Sequence, residues 1–169
     1  MRKKTIEDYV ELLYQLEKQQ SPVHTNDVAS ALSISAASVT EIFQKLHEEG
    51  YIVYKKYAGV TLTKKGRRVA ISTQKKHDIL KKLLMTLGVK EEIADQDACR
   101  IEHIVHPETI EKLTKFVAFS QMEEGCLRWL DHFTYYEKTG DCIQCTPQNE
   151  DHCPIHGSTK KKKTNKYNN

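Results

Sequence analysis

Cys99, Glu102 and His103 bring a thiol, a carboxylate and an imidazole together within one short stretch. The stretch, Asp95-Gln96-Asp97-Ala98-Cys99-Arg100-Ile101-Glu102-His103, reads as helix. Spacing of i, i+3 and i+4 then puts all three groups on one helical face. Thiolate, imidazole and carboxylate together suit Fe(II), Zn(II) or Mn(II) rather than Ca(II) or Mg(II). Three donors do not close a site, so the remaining ligands must come from elsewhere. The best candidates lie far upstream, in a segment with the pattern of a DNA-binding unit. An ion bridging the two would act as a switch.

The elements that must position these groups follow from hydrophobic periodicity. Ile6, Val10, Leu13 and Leu16, widened by Tyr9 and Leu12, predict a helix over 5–19. A second helix starts at Thr25-Asn26-Asp27 with Val28, Ala31 and Leu32 as its apolar face. After a turn at Ser33-Ile34-Ser35, Ser35 or Ser38 caps a third helix that buries Val39, Ile42, Phe43 and Leu46 and ends at Gly50. Ile52-Val53-Tyr54 and Val60-Thr61-Leu62 flank a basic hairpin tip, Lys55-Lys56-Tyr57-Ala58-Gly59. Thr63-Lys64-Lys65-Gly66 opens a long helix to about Leu87, Gly88 breaks it, and a helix over 90–105 carries the triplet. Pro107 suits the first turn of the next helix, striped by Ile110, Leu113, Phe116 and Val117, and a short helix follows around Leu127–Phe133. The fold class expected is mainly α with a small β-wing. A winged helix-turn-helix DNA-binding domain over 1–70 precedes a helical metal-binding and dimerisation domain over 71–138.

A helix enters the major groove only if its outward face carries small or hydrogen-bonding side chains. The third helix offers Ser35, Ala36, Ala37, Ser38, Thr40, Glu41, Gln44 and Lys45. Ser, Thr and Gln can read base edges, Ala leaves room for thymine methyls, and Lys45 suits a phosphate. Lys55, Lys56 and Tyr57 at the wing tip would hold backbone phosphates or edge the minor groove. The plainer reading is a solvated polar face beside an ordinary hairpin. Charge favours DNA: residues 1–85 hold 15 Lys/Arg against 9 Asp/Glu, whereas residues 86–169 hold 11 against 14. The expected partner is double-stranded operator DNA.

Several of these motifs occur together in a known order. They are Ile6-Glu7-Asp8-Tyr9-Val10-Glu11, Ser38-Val39-Thr40, Gln44-Lys45-Leu46, Leu62-Thr63-Lys64-Lys65-Gly66 and Ile101-Glu102-His103. Over residues 5–120 the chain resembles the diphtheria-toxin-repressor/manganese-transport-regulator family of metal-activated transcriptional repressors. The resemblance implies metal ligands at Asp8, Glu11, His77, Cys99, Glu102 and His103, with Fe(II) or Mn(II) as co-repressor. It also implies repression of metal-homeostasis genes by a homodimer, for which the stripe around Ile110, Leu113, Phe116 and Val117 is the expected contact. The chain is a hybrid. Iron-responsive members resemble it at Cys99 but have Met where Asp8 stands, and manganese-responsive members resemble it at Asp8, Glu11 and His77 but have Glu where Cys99 stands. Thiolate pulls toward Fe(II), while the two carboxylates accept Mn(II). Lys81 stands where the second site of iron-type members has a carboxylate, so one ion or two stays open. Read singly, Asp8 and Glu11 are ordinary first-turn carboxylates, His77 a surface histidine and Cys99 a small apolar residue.

The resemblance does not cover the end of the chain. Cys142-x2-Cys145-x7-Cys153-x2-His156, in the segment 139–157, has the spacing of a tetrahedral structural Zn(II) site. An iron–sulfur cluster recruiting Cys126, or free thiols in a tail, are the other readings. A basic stretch with the run Lys160–Lys163 occupies 158–169 and is expected to be disordered. Five cysteines and no signal-peptide core favour reduced thiols and a cytoplasmic protein, and no apolar run approaches the ~18 residues of a membrane span. An enzyme is not expected. A metallohydrolase using Glu102, His103 and His106 would lack His-Glu-x-x-His and a general base beside an open metal position. The main alternative is a winged-helix regulator that is constitutive or responds to Cys99 redox state, with structural metal only.

Overall fold

The computed structural model describes residues 1–19, 22–121 and 127–141. The chain forms helices α1 (Lys3–Glu17), α2 (Thr25–Leu32) and α3 (Ala36–Glu48), a hairpin of β1 (Ile52–Lys55) and β2 (Gly59–Leu62), and then helices α4 (Lys64–Thr86), α5 (Glu91–Ile101), α6 (Pro107–Ser120) and α7 (Leu127–Thr139). The fold is mostly helical with a two-stranded wing. The zinc-type cluster Cys142, Cys145, Cys153 and His156, the cysteine Cys126 and the basic stretch 158–169 lie outside the described residues.

One compact unit spans Met1–Thr114 and a second begins at Lys115. In the first, α1 buries Ile6, Tyr9, Val10 and Leu13 on one stripe, and Val28, Val39, Phe43, Leu46, Ile52, Val60 and Ala70 complete the core. Ser35 caps α3, its hydroxyl accepting from the Ser38 N–H at 3.1 Å. Thr63 does the same for α4 through the Gly66 N–H, also at 3.1 Å. Gly66 is obligatory, since a Cβ there would sit 2.1 Å from the Tyr51 carbonyl oxygen. The strands pair antiparallel in the register Ile52↔Leu62 to Lys55↔Gly59, and Tyr57, at φ +70°, projects 90% exposed from the turn. The helix α4 runs on through residue 70, so winged helix and helical part share one continuous element, with α4 packed on both α1 and α5.

The helix expected over 90–105 is shorter. It ends at Ile101, Glu102 is its helical C-cap, and residues 103–105 form a turn. Pro107 opens α6 and disfavours helical backbone at His106, which sets where the chain must turn. Cys99 and Glu102 therefore keep their i, i+3 relation, but His103 leaves the helix. Among the described residues no helix is long and apolar enough to cross a membrane.

Candidate metal centre and DNA-facing surface

Three elements meet at the centre. The helix α1 presents Glu7, Asp8 and Glu11, α4 presents His77, and the end of α5 presents Cys99, Glu102 and His103. Asp8, Glu11, His77, Cys99 and Glu102 line a single cavity of about 640 Å³. His103 reaches the same donors from the turn after α5: its Nε2 lies 2.9 Å from Asp8 Oδ1 and 3.4 Å from Glu102 Oε1. His77 Nδ1 lies 3.0 Å from Glu102 Oε2. All six side chains singled out in the sequence thus share one neighbourhood. As they stand the donors are gathered into pairs, and among the described residues no group of three or more surrounds a common point.

The charge at this centre is poorly balanced. Glu102 is 1% exposed, and burial, together with the Glu11, Asp8 and Glu7 carboxylates beside it, pushes its carboxyl up to about 8. A hydrogen bond with Glu11 adds to the rise, and burial pushes the Glu11 carboxyl up as well. Burial likewise raises Asp8, against the pull of His103 and Lys4. The Cys99 thiol is raised by burial and by the carboxylates at Glu102, Asp8 and Glu11. Carboxylates crowded into a low dielectric disfavour ionisation, and a divalent cation reverses that preference.

Whether the residues fit an ion is decided by His103. Its side chain is 2% exposed, and Nδ1 is hydrogen-bonded to Glu7 Oε2 at 2.9 Å. Its Nε2 is buried and makes no hydrogen bond, although Asp8 and Glu102 oxygens stand within 3.4 Å. Proximity without hydrogen-bond alignment leaves that nitrogen facing carboxylates with no proton acceptor in line. A buried imidazole held through Nδ1 by a carboxylate, its Nε2 free beside two more, is the arrangement of a metal-binding histidine with its orienting partner. The donor set fits a divalent ion.

Glu7 was not legible as a functional residue. In sequence it reads as one more carboxylate in a first-turn run, yet it is 5% exposed and touches His103, Lys3 and Lys76. The available signal was its i, i+3 relation to Val10, which sets it at the edge of the buried stripe of α1.

The second surface lies on α2, α3 and the wing. Ala36, Thr40, Gln44, Lys56 and Tyr57 line a concave face of about 610 Å³, together with His24, Thr25 and Asn26, which the sequence did not single out. Ser35, Ala37, Ser38, Lys45 and Lys55 are exposed around it. All three hydroxyls have local duties, because Ser35 and Ser38 bond each other at 2.8 Å and Thr40 donates to the Ala36 carbonyl at 2.8 Å. The expected dimer stripe is divided: Val117 is buried, while Ile110 lines a groove with Val69 and Ile79. Met85, Ile93 and Ile104 are more exposed, at 43%, 50% and 80%.

Comparison with known proteins gives this pairing of surfaces a context. Residues 1–60 match the iron dependent repressor N-terminal DNA binding domain, and residues 63–125 match the iron dependent repressor metal binding and dimerisation domain. The HTH-type transcriptional regulator MntR of Geobacillus kaustophilus is 36% identical over 126 residues, covering 75% of this chain and 89% of that protein. The solved manganese regulator SloR is 32% identical with a TM-score of 0.59 over 68% of this chain, which spans 54% of SloR. A manganese-dependent transcriptional repressor solved in complex with manganese is 27% identical, with a TM-score of 0.61 over 69% of this chain and 54% of its own. These relatives are regulators, not enzymes. The chain belongs to the diphtheria-toxin-repressor/manganese-transport-regulator family and is a metal-dependent transcriptional repressor.

Proposed function

We propose that the chain represses metal-homeostasis genes in response to Fe(II) or Mn(II), held by Asp8, Glu11, His77, Cys99, Glu102 and His103. The observation that carries this is His103, whose ring leaves α5 to lie between Glu7 and Asp8 of α1 with an unsatisfied Nε2. An ion bound there supplies a cross-link between α1 and the end of α5, and compensates the carboxylates. The chain's own residues do the rest. Glu7 orients the His103 ring, with Lys76 and Lys3 3.8 Å from its other oxygen. His77 holds Glu102 at the centre. At its far end α1 grips the wing, where Glu17 accepts the Leu62 N–H at 2.7 Å and pairs with Arg67. The position of α1 is thereby transmitted to β2 and the recognition surface. Carboxylates outnumber the single thiol, which suits Mn(II) as well as Fe(II).

Operator binding uses the exposed face of α3 and the wing tip Lys55-Lys56-Tyr57, and a homodimer presents two such faces to half-sites about 34 Å apart. Dimer contacts draw on the exposed Met85, Ile93 and Ile104 and on Leu113 and Phe116 of α6. Residues 126–169 lie beyond the matched family domains, and Cys142, Cys145, Cys153 and His156 are assigned there as a structural Zn(II) site.

The test is anaerobic fluorescence anisotropy on promoter DNA, metal-free and then with Fe(II), Mn(II), Co(II) or Zn(II) added singly. Binding should tighten with Fe(II) or Mn(II). Tight binding that ignores all four ions would make the centre structural and favour a constitutive or thiol-responsive regulator.

A further inference from the structure

We propose that the Lys81 ammonium is a tethered cation that fills the outer side of the centre and holds it to one divalent ion per chain. The inference rests on the metal-centre reading above and concerns how many ions that centre takes. Lys81 projects from α4 and places Nζ 2.8 Å from Asp95 Oδ1 and 3.1 Å from Glu91 Oε1, both on α5. The same Asp95 oxygen lies 3.3 Å from Nε2 of His77, one turn earlier on α4. Asp95 thus joins the ammonium to the imidazole, and Glu91 adds a second carboxylate on the ammonium. Without the ammonium these groups are oxygen and nitrogen donors of the kind Mn(II) and Fe(II) accept.

The histidine ties this cluster to the centre. His77 faces Glu102 through Nδ1 at 3.0 Å and Asp95 through Nε2, so one nitrogen serves each side. The inner side offers uncompensated carboxylates and an orphaned His103 nitrogen. The outer side already has its positive charge. A second ion there must expel the ammonium from two ion pairs and then tolerate a positive charge tethered beside it.

A plain surface bridge between α4 and α5 would show the same distances, but removing it would leave the ion count unchanged. Asp95 and Glu91 are 52% and 67% exposed, so losing Lys81 leaves the fold intact. The experiment counts bound Mn(II) by electron paramagnetic resonance on the full chain, as wild type, Lys81→Ala and Lys81→Glu, with circular dichroism on each. Mn(II) is chosen because thiolates bind it poorly, which keeps the carboxy-terminal cysteines out of the count. The expected result is one ion per chain for wild type and two for both variants. Two ions in wild type, or one in both folded variants, overturns the proposal. A second ion in Lys81→Glu alone also overturns it, because a missing carboxylate would then be the limit. Uptake of neither Mn(II) nor anaerobically added Fe(II) by wild type would instead overturn the metal-centre reading itself.

Discussion

The DNA-facing surface and the candidate metal centre are built on opposite principles. Beneath the recognition helix, Val39, Phe43 and Leu46 are fully buried, the helix start is capped, and the wing is pinned by an antiparallel ladder. That reader is complete without any ion. At the centre, groups that repel one another are held by hydrogen bonds among themselves, and a buried imidazole nitrogen has no partner. On the proposed reading, metal moves or fixes the reader rather than reshaping it. The shared element is α1, which carries Asp8 and Glu11 in its middle turns and Glu17 at its end under the wing.

The sharpest way to break the comparison is to damage each region and ask which function falls. Phe43→Ala should cost about 3–5 kcal/mol by emptying the core, and urea denaturation should show the loss with or without metal. Glu102→Gln should do the opposite, leaving metal-free folding intact while abolishing metal-stimulated operator binding. Persistence of the metal response in that variant would remove Glu102 from the centre. Glu7→Gln tests orientation alone, because Glu7 touches the His103 nitrogen opposite the orphaned one. A loss of metal affinity of roughly 10- to 100-fold is expected, read by competition with a chelating dye, with the fold unchanged.

Two smaller effects sharpen the contrast. The Glu102 carboxyl stands at about 8 in the folded protein against 4.5 ordinarily. The folded state therefore keeps a proton that the unfolded state releases over that window. The stability this contributes is complete below pH 4.5 and is lost as pH rises to about 8, with raised Asp8 and Glu11 acting in the same direction. Denaturation in chelator at pH 5.5 and 8 should show the fall, and Glu102→Gln should shrink it. On the other surface, Lys56→Ala should weaken DNA binding evenly across sequences and lower the salt slope by about 1.

What could be read in sequence follows the same division. The winged helix was legible because apolar stripes such as Val39, Phe43 and Leu46, and caps such as Ser35, are local signals. Asp8, Glu11, His77, Cys99, Glu102 and His103 were singled out by family resemblance and lie together in the structure, their spacing alone admitting ordinary structural roles. The contact of Glu7 with His103 was not legible, since it joins α1 to the turn after α5; Lys81 was singled out by resemblance, but its pairing with Asp95 of α5 was not. The early end of α5 depends on Pro107 and on a turn that periodicity does not register.

On the proposed reading the centre and the DNA-reading surface are one coupled system, and coupling is reciprocal. The most direct measurement is the affinity for the activating ion with and without saturating operator DNA, beside the affinity for DNA with and without that ion. DNA should tighten ion binding by the same factor by which the ion tightens DNA binding. An ion affinity indifferent to operator DNA would contradict it and leave the centre as a structural site that α1 does not report to the wing.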